Sequence, residues 1–463
     1  MSPTTLTQIV AFAGGTLTGK GEAKITRINT DSRILRSGDL FVALRGDNFD
    51  GHRFVESAAK RGAVAVLVEH NWRGDIPLSL GVIRVDDTLA AYQKIAAGYR
   101  RSLPLKVIAI TGSNGKTTTK DFLAAALGRR FNVTKTEGNF NNHVGLPRTM
   151  LEAKAEDEIA VWEIGMNHPG EIAALAALAA PDVAVITNVG IAHIEFMGTR
   201  EAIAWEKGSL AEVIGPEGTV VLNADDPFSS TIAERTRAKI VLAGTNGGSV
   251  CATDISQSAT GSEFTILEGA HRCRAQLPVP GLHMVQNALL AIAAGRVFGV
   301  SIEDCAAGLA SAPLTKARLQ IKNIHGVQFL DDSYNANPES VKAALATLVE
   351  LETDGRRIAV LGPMSELGAE SERGHREVGE AAAALKIDQL ITIGETGAVI
   401  ARSARDAGLE NSIAVASAGE AADLLAETAS AGDLILVKGS RSARTEQVIE
   451  QFGIRHSAFV TSP

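Results

Sequence analysis

The sequence predicts an α/β protein built in three parts around parallel sheets, and three observations carry that prediction. From Lys106 onward, short apolar runs that read as buried strands (VIAIT, AVWEIG, VAVITNVG, TVVLNADD, KIVLAGT) alternate with stretches of helical periodicity, the pattern of βαβ units covered on both faces. The same rhythm recurs on a smaller scale nearer the C-terminus, in VQFLDDS, RIAVLGPM, QLITIG, SIAVAS and DLILVKGS. The chain of 463 residues is 45% hydrophobic and 21% charged, which is enough to bury sizeable cores and too long for a single one.

The first part, residues 1–103, contains the β-like runs GDLFVAL and AVAVLVE with the helix-like FVESAAKRG between them. It closes with a helical stretch over 89–101 and the breaker Leu103-Pro104. The central part, residues 104–313, sets helices after Lys116, from Pro169 and from Arg200 to Val213 between its strands. Its segment 247–280 is polar and alternating (SEFTILEG, HRCRAQLPV), which predicts an antiparallel edge, and a helix near 283–298 leads to a boundary close to Pro313. The last part, residues 314–463, places helices from Pro338 and around 374–385 among its strands.

Composition excludes several functions. A formal net charge of −8 argues against a nucleic-acid-binding face, though a few local cations can still hold a small anion. No stretch approaches the roughly 20 apolar residues of a membrane span, since the Ala-rich run at 172–180 is interrupted by Pro181 and Asp182. There is no Lys or Arg before Lys20, so the charged region of a secretory signal is missing and a cytoplasmic protein without membrane insertion is expected. The three cysteines, Cys251, Cys273 and Cys305, are odd in number and widely spaced, and fit neither a disulfide framework nor a CxxC metal site.

The sharpest local signal is KVIAITGSNGKTTTKDFL. A strand runs into Gly112-Ser113-Asn114-Gly115-Lys116-Thr117-Thr118 and on into a helix. Small residues let backbone amides approach phosphates, the helix N-terminus favours negative charge, Lys116 can reach the β- and γ-phosphates, and Thr117 can ligate Mg²⁺. The longer G-x-x-x-x-G-K-[ST] form is not met, because Ile110 stands where its first glycine would be. The plain alternative is a glycine-rich turn with an incidental lysine.

Other unusual motifs also follow strands, where open α/β sheets collect ligands. Glu163, in VWEIGMNHPGE, can act as a hard oxygen ligand, and His193, in TNVGIAHIEFMG, is by default a structural hydrogen-bonder. Together a carboxylate and an imidazole beside phosphates make a second divalent site. Lys207, in AIAWEKGSL, reads on its own as a solvated helix lysine next to Glu206. GNFNNHVGLP, which contains Asn142, reads as an Asn/Gly turn dense in amides. In DDSYNANP, Asn337-Pro338 reads as a helix N-cap with Pro at N1, and the adjacent acids Asp331 and Asp332 point to opposite faces if extended.

Taken in order, TGSNGKTTTK, GNFNNHVGLP, WEIGMNHPGEI, TNVGIAHIEFMG, VLNADDP, PGLHMVQNALLA, DDSYNANP and LVKGSR resemble the ATP-dependent Mur ligases of bacterial peptidoglycan assembly. The N-terminal TDSRILRSGDLFVALRGDNFDGHRF is similar to the uridine-diphosphate-binding domain of that family. DDSYNANP resembles the branch that adds D-alanyl-D-alanine, and the DNPR motif of the branch that adds the third peptide residue is absent. The alternatives inside the superfamily are that third-residue ligase and a folylpolyglutamate-synthetase-like enzyme.

The resemblance implies a small α/β UDP-binding domain, a central P-loop parallel-sheet ATPase domain and a C-terminal Rossmann-like domain. It implies a monomeric ligase with ATP, two Mg²⁺ ions, UDP-N-acetylmuramoyl-tripeptide and D-Ala-D-Ala as its cofactors and substrates. Ser32 and Arg33, with the loop from Gly46 to His52, match the uridine-nucleotide site. Lys116 and Thr117 would hold ATP phosphates and Mg²⁺, with Glu163 and His193 as further ligands. Lys207 matches a lysine that is carbamylated in several members and bridges toward a second ion. Asn287 matches an adenine-contacting asparagine, although Met284 stands where the motif has its first Asn. Arg318 and Asp332 match residues that reach the ATP phosphates and ribose on closure, and Tyr334, Asn335 and Asn337 extend that signature. Pro363 stands where related sequences often carry Asp.

Overall fold

The computed structural model of the chain describes residues 1–19, 21, 23–46, 48–75 and 80–460, with side chains as far as residue 455. Lys20, and Asp47 in the loop assigned by resemblance to the uridine nucleotide, lie outside the described residues.

The central sheet has nine described strands in the order Val133–Lys135, Ile159–Glu163, Lys106–Thr111, Val183–Ile186, Thr219–Asn223, Lys239–Gly244, Val250–Ser258, Gly261–Glu268 and His271–Leu277. Pairings are parallel as far as Val250–Ser258, and the last two are antiparallel, as the polar alternation of 247–280 predicts. The inner parallel strands, Ile159–Glu163, Lys106–Thr111, Val183–Ile186 and Thr219–Asn223, are buried on both faces, which is why they read as continuous apolar runs, whereas Lys239–Gly244 is partly exposed. From Lys106–Thr111 the chain first builds the sheet on one side and then crosses to Val183–Ile186 on the other. That reversal opens a crevice at the carboxyl end of the Lys106–Thr111 strand. Helix Lys116–Leu127 leaves from this point and packs against Leu282–Val297, a helix apolar nearly all round and therefore a core element.

The C-terminal sheet runs Gln320–Ile324, Val327–Asp331, Leu434–Lys438, Arg357–Leu361, Gln389–Ile393 and Ser412–Val415, with only the first pairing antiparallel. Leu434–Lys438 inserts between Val327–Asp331 and Arg357–Leu361, so this sheet also reverses direction, and Lys438 sits at that point. The N-terminal sheet is smaller, in the order Thr16–Thr18, Gly81–Val85, Ala65–Glu69, Leu40–Val42 and Ile28–Asn29. Its helix Thr88–Ser102 is anchored on the central part: Tyr99 Oη donates to Ala153 O at 2.7 Å and Arg100 Nε to Ala179 O at 3.0 Å.

The helix expected from Pro169 begins at Glu171, because Gly170 adopts a left-handed conformation with φ 86° and forms the cap. Among the described residues no helix is long and apolar enough to cross a membrane.

Candidate active site at the phosphate loop

The loop after Lys106–Thr111 needs its glycines for steric reasons. Gly112 has φ +149° and a Cβ there would fall 1.9 Å from Thr187 Oγ1; Gly115 has φ +81° and a Cβ would fall 2.2 Å from Asn287 Oδ1. The loop following Val183–Ile186 fixes it from the side. Ser113 N–H donates to Asn188 O at 2.9 Å, Asn114 N–H to Asn188 Oδ1 at 2.9 Å, and Gly190 N–H to Ser113 Oγ at 2.8 Å. The amides of Ser113 and Asn114 are thus engaged within the protein, which narrows the sequence expectation. The anion-facing donors are the amides that open the helix, Gly115 through Thr118, which have no partner within it.

Around that helix start lies a cavity of about 460 Å³, lined by Ser113 to Thr117, Asn139, Asn141, Glu163 and His193 on one side and by Arg318, Tyr334, Asn335, Asn337, Glu366 and Lys438 on the other. Lys116 Nζ donates to Gly112 O at 2.7 Å. Burial lowers its pKa, Glu163 opposes this, and Arg318 acts in the same direction as burial. Arg318 stacks on the Tyr334 ring at 4.1 Å, its buried Nε has no hydrogen-bond partner, and among the described residues its guanidinium has no ion-pair partner. A cation without a counter-charge beside a lysine and a helix N-terminus is arranged for an anionic ligand.

Glu163 is 3% exposed. Its Oε2 accepts the Thr117 hydroxyl at 2.9 Å and its Oε1 accepts Asn141 Nδ2 at 2.7 Å. Two hard oxygens therefore meet at the phosphate end, which suits Mg²⁺, an ion that keeps several waters and takes one or two carboxylates plus substrate phosphates. No group of three or more His, Cys, Asp and Glu side chains among the described residues could cage a metal, so the donor set fits an ion that arrives with a nucleotide. His193 lines the same cavity, with Nδ1 2.7 Å from Glu366 Oε2 but outside the angular range of a hydrogen bond.

Lys207 is not a solvated lysine: it is 1% exposed. Its neighbour Glu206 is turned away to cap another helix, accepting Gly170 N–H and Ile172 N–H at 2.8 Å each. Residues i and i+1 on a helix do not face one another, so adjacency in sequence gave no ion pair. Among the described residues the ammonium has no hydrogen-bond or ion-pair partner. Burial, then the charge of Lys116, push its pKa well below the ordinary lysine value, with Glu206 opposing.

The acids of DDSYNANP do diverge. Asp331 accepts Lys322 Nζ at 2.6 Å, whereas Asp332, 6% exposed, is held by Lys438 Nζ and does not line the cavity. The cavity-facing group expected at Asp332 is here Lys438, which also donates to Asn335 O at 2.9 Å. Asn337 caps its helix and donates from Nδ2 to Asn114 Oδ1 at 2.7 Å, a direct tie between the C-terminal part and the phosphate loop.

Several expected site residues lie elsewhere. Asn142 opens helix Gly145–Glu152, its Oδ1 accepting Gly145 N–H at 2.8 Å, and lines a second cavity of about 750 Å³ that reaches from Gln93 to Lys116 and His193. The Thr118 side chain is buried in the helix, which leaves only its amide among the donors at the helix start. Asn287 is 5% exposed behind Gly115; the residues of its helix that line a third cavity, of about 260 Å³, are His283 and Gln286. Met284 is a core residue. Ser32 and Arg33 stay on the N-terminal part, with Arg33 paired to Asp31 at 2.8 Å, and line none of these cavities. Pro363 contributes only its carbonyl, which accepts Ser440 N–H at 3.0 Å.

His283 provides a pH test of this packing. Burial pushes its pKa from 6.5 down to about 4, Asp332 opposing and Lys438 reinforcing the shift. The unfolded chain takes up the proton first, so this contribution to stability is complete above about pH 6.5 and is lost as pH falls toward about 4. Denaturant unfolding across that window is expected to show a falling stability that His283→Gln makes shallower.

The chain matches three family models: "Mur ligase family, catalytic domain" over residues 24–100, "Mur ligase middle domain" over 110–295 and "Mur ligase, glutamate ligase domain" over 317–441. It is 41% identical over 452 residues to the UDP-N-acetylmuramoyl-tripeptide--D-alanyl-D-alanine ligase of Bacillus subtilis (strain 168), covering 96% of this chain and 97% of that one. The chain belongs to the Mur ligase family. A second Mur ligase, the enzyme of the same name from Escherichia coli (strain K12), is 37% identical, with 97% of this chain and 98% of that one covered. Among solved Mur ligases, a crystal structure of MurF from Acinetobacter baumannii superposes with a TM-score of 0.91 at 33% identity, covering 98% of this chain and 99% of that one. MurF from Thermotoga maritima in complex with ADP superposes with a TM-score of 0.84 at 29% identity, covering 94% and 98%. The three-part α/β fold is therefore that of a Mur ligase of the MurF type.

Sequence reasoning passed over three residues of this Mur ligase site. Asn141 was hidden inside a turn motif, although its amide holds Glu163. Lys438 carried a signal, a charge closing the apolar strand DLILVKGS. Glu366 carried none, since a glutamate in a glycine-containing loop is usually solvated.

Proposed function

We propose that the chain is the ATP-dependent amide ligase that joins D-Ala-D-Ala to the terminal carboxylate of UDP-N-acetylmuramoyl-tripeptide. The observation that carries the reading is the cavity where Lys116, the helix start, Glu163 and His193 of the central part face the uncompensated Arg318 of the C-terminal part. A carboxylate is a poor electrophile, and the γ-phosphate it must attack is also anionic. The side chains that reduce this repulsion are Lys116 and Arg318, and their fixed placement in a poorly hydrated cavity makes them effective.

In this reading the second cavity admits the tripeptide and the third the nucleoside. A carboxylate oxygen attacks the γ-phosphorus, the bond to the β–γ bridging oxygen breaks, and ADP leaves. The amine of D-Ala-D-Ala then attacks the acyl carbon, loses a proton, and expels inorganic phosphate. Thr117, Glu163 and His193 would hold Mg²⁺, which supplies charge neutralisation at the phosphates when bound. The depressed pKa of Lys207 supports a neutral amine able to add CO₂, forming an N–C bond and releasing a proton, so that a carboxylate joins that donor set. Ser32 and Arg33 would begin the UDP site. The monomeric state is proposed on the resemblance alone, and use of ATP supports a cytoplasmic enzyme.

Mass spectrometry of the product made from UDP-tripeptide, ATP and D-Ala-D-Ala tests this. The expected product gains the dipeptide less one water, with ADP and phosphate formed in equal amounts. Phosphate release that depends on free diaminopimelate or lysine, or on a folate and glutamate, overturns the assignment.

A further inference from the structure

The C-terminal part grips the loop that carries His193 on both sides of the imidazole. Glu339 Oε1 accepts Ile191 N–H at 3.0 Å, the Glu366 carbonyl accepts Glu195 N–H at 3.3 Å, and Glu366 Oε2 lies 2.7 Å from His193 Nδ1. His193 and Glu366 both hold left-handed backbones, with φ 65° and 62°. Residues other than glycine keep that conformation where their surroundings over-determine it, and here Glu366 meets the loop of His193 through both its carbonyl and its carboxylate, while the His193 carbonyl accepts from Phe196 and Met197 of its own helix. Gly368 lies close against the same segment, where a Cβ would come within 3.1 Å of Glu195 Cα.

His193 Nδ1 is buried, and among the described residues no group other than Glu366 stands near enough to pair with it. Glu366 Oε2 in turn has His193 as its one charged neighbour there. Both side chains line the cavity of the phosphate loop, yet they are contributed by different domains.

We infer that Glu366 is a positioning residue for ligation, whose carboxylate fixes the orientation and tautomer of the His193 ring across the contact between the C-terminal and central parts. A carboxylate beside Nδ1 keeps the proton on that nitrogen and leaves Nε2 with its lone pair, the arrangement in which an imidazole is a good ligand or acceptor. Because Glu366 and Glu339 both come from the C-terminal part, the imidazole is set only where that part is docked on the loop of His193. This inference rests on the proposed role of His193 at the phosphates.

The test compares full-length wild type and Glu366→Gln, labelled with nitrogen-15 histidine, in the presence of a non-hydrolysable ATP analogue and UDP-tripeptide. His193→Ala identifies the resonances. Wild type is expected to show a single tautomer with Nδ1 protonated. Glu366→Gln can offer either its amide oxygen or its amide nitrogen, and is expected to show two tautomers in exchange. In turnover, Glu366→Gln is expected to lower kcat roughly 10- to 100-fold, with KM for ATP changed by less than about twofold. Glu366→Asp regains part of the rate, and in a His193→Ala background Glu366→Gln adds nothing further. Undiminished turnover in His193→Ala removes the reading of His193 on which this depends. Impaired His193→Ala together with a Glu366→Gln enzyme of wild-type kcat and unchanged tautomer overturns the positioning role. Fully additive losses also overturn it, because Glu366 would then act on a substrate independently of the ring.

Discussion

Lys116→Ala is expected to lower ATP-dependent ligation on the order of 10³-fold while leaving the fold intact. The cation lies in poorly hydrated surroundings that lower its pKa, anchored to Gly112 O at 2.7 Å, so its charge acts on phosphates with little screening by water. Removing it leaves Arg318 alone to offset two approaching anions. Lys116→Arg is not expected to restore the rate, because a longer planar head cannot keep the Gly112 contact and the same position. Phosphate release measured with both substrates, beside nucleotide binding by calorimetry, separates lost chemistry from lost affinity. Turnover unaffected in Lys116→Ala would remove the phosphate-loop argument, and with it the central observation of the proposed function.

Lys207→Ala and Lys207→Met are both expected to lose activity by about 10²- to 10³-fold, and short carboxylates such as formate or acetate are expected to restore part of it in the alanine variant. An ammonium that is 1% exposed, with no partner among the described residues and Lys116 nearby, is held toward its neutral form. A neutral amine adds CO₂, and the resulting carboxylate is drawn to the positive field that made the ammonium unfavourable. Lys207→Met keeps the volume, so a fall in its activity is not a packing defect, and it leaves no space for a rescuing carboxylate. Carbon-13 bicarbonate should give wild type a carbamate resonance that both variants lack. Full activity in either variant without additive would return Lys207 to a structural role.

These two lysines show how unequally the sequence displays its chemistry. Lys116 was legible because everything that defines it is local: a strand, two glycines forced by close approach, and a helix start within a few residues. Lys207 was misread from its neighbours alone, since Glu206 next to it in sequence caps a distant helix. Ser113 and Asn114, read as phosphate-binding residues, line the cavity, but their amides are engaged by Asn188, and only the three-dimensional neighbour reveals that.

By itself the sequence determined the elements and their order. Period-two and period-3.6 patterns, glycine and proline punctuation and apolar strand runs act over short stretches, and the strands of the central and C-terminal sheets follow them, whereas helices such as Gly145–Glu152 and Ile302–Ala310 were not read from the sequence. It also placed the polar motifs at strand ends, which the parallel sheets turn into a shared crevice. Tertiary structure alone decided which polar groups pair there. Lys438 holds Asp332, and Glu366 meets His193 across two domains, in pairs separated by 106 and 173 residues in the chain. The physical reason is that secondary structure is governed by near neighbours, whereas the charge, tautomer and hydration of a buried group depend on whatever the fold brings within a few ångströms of it.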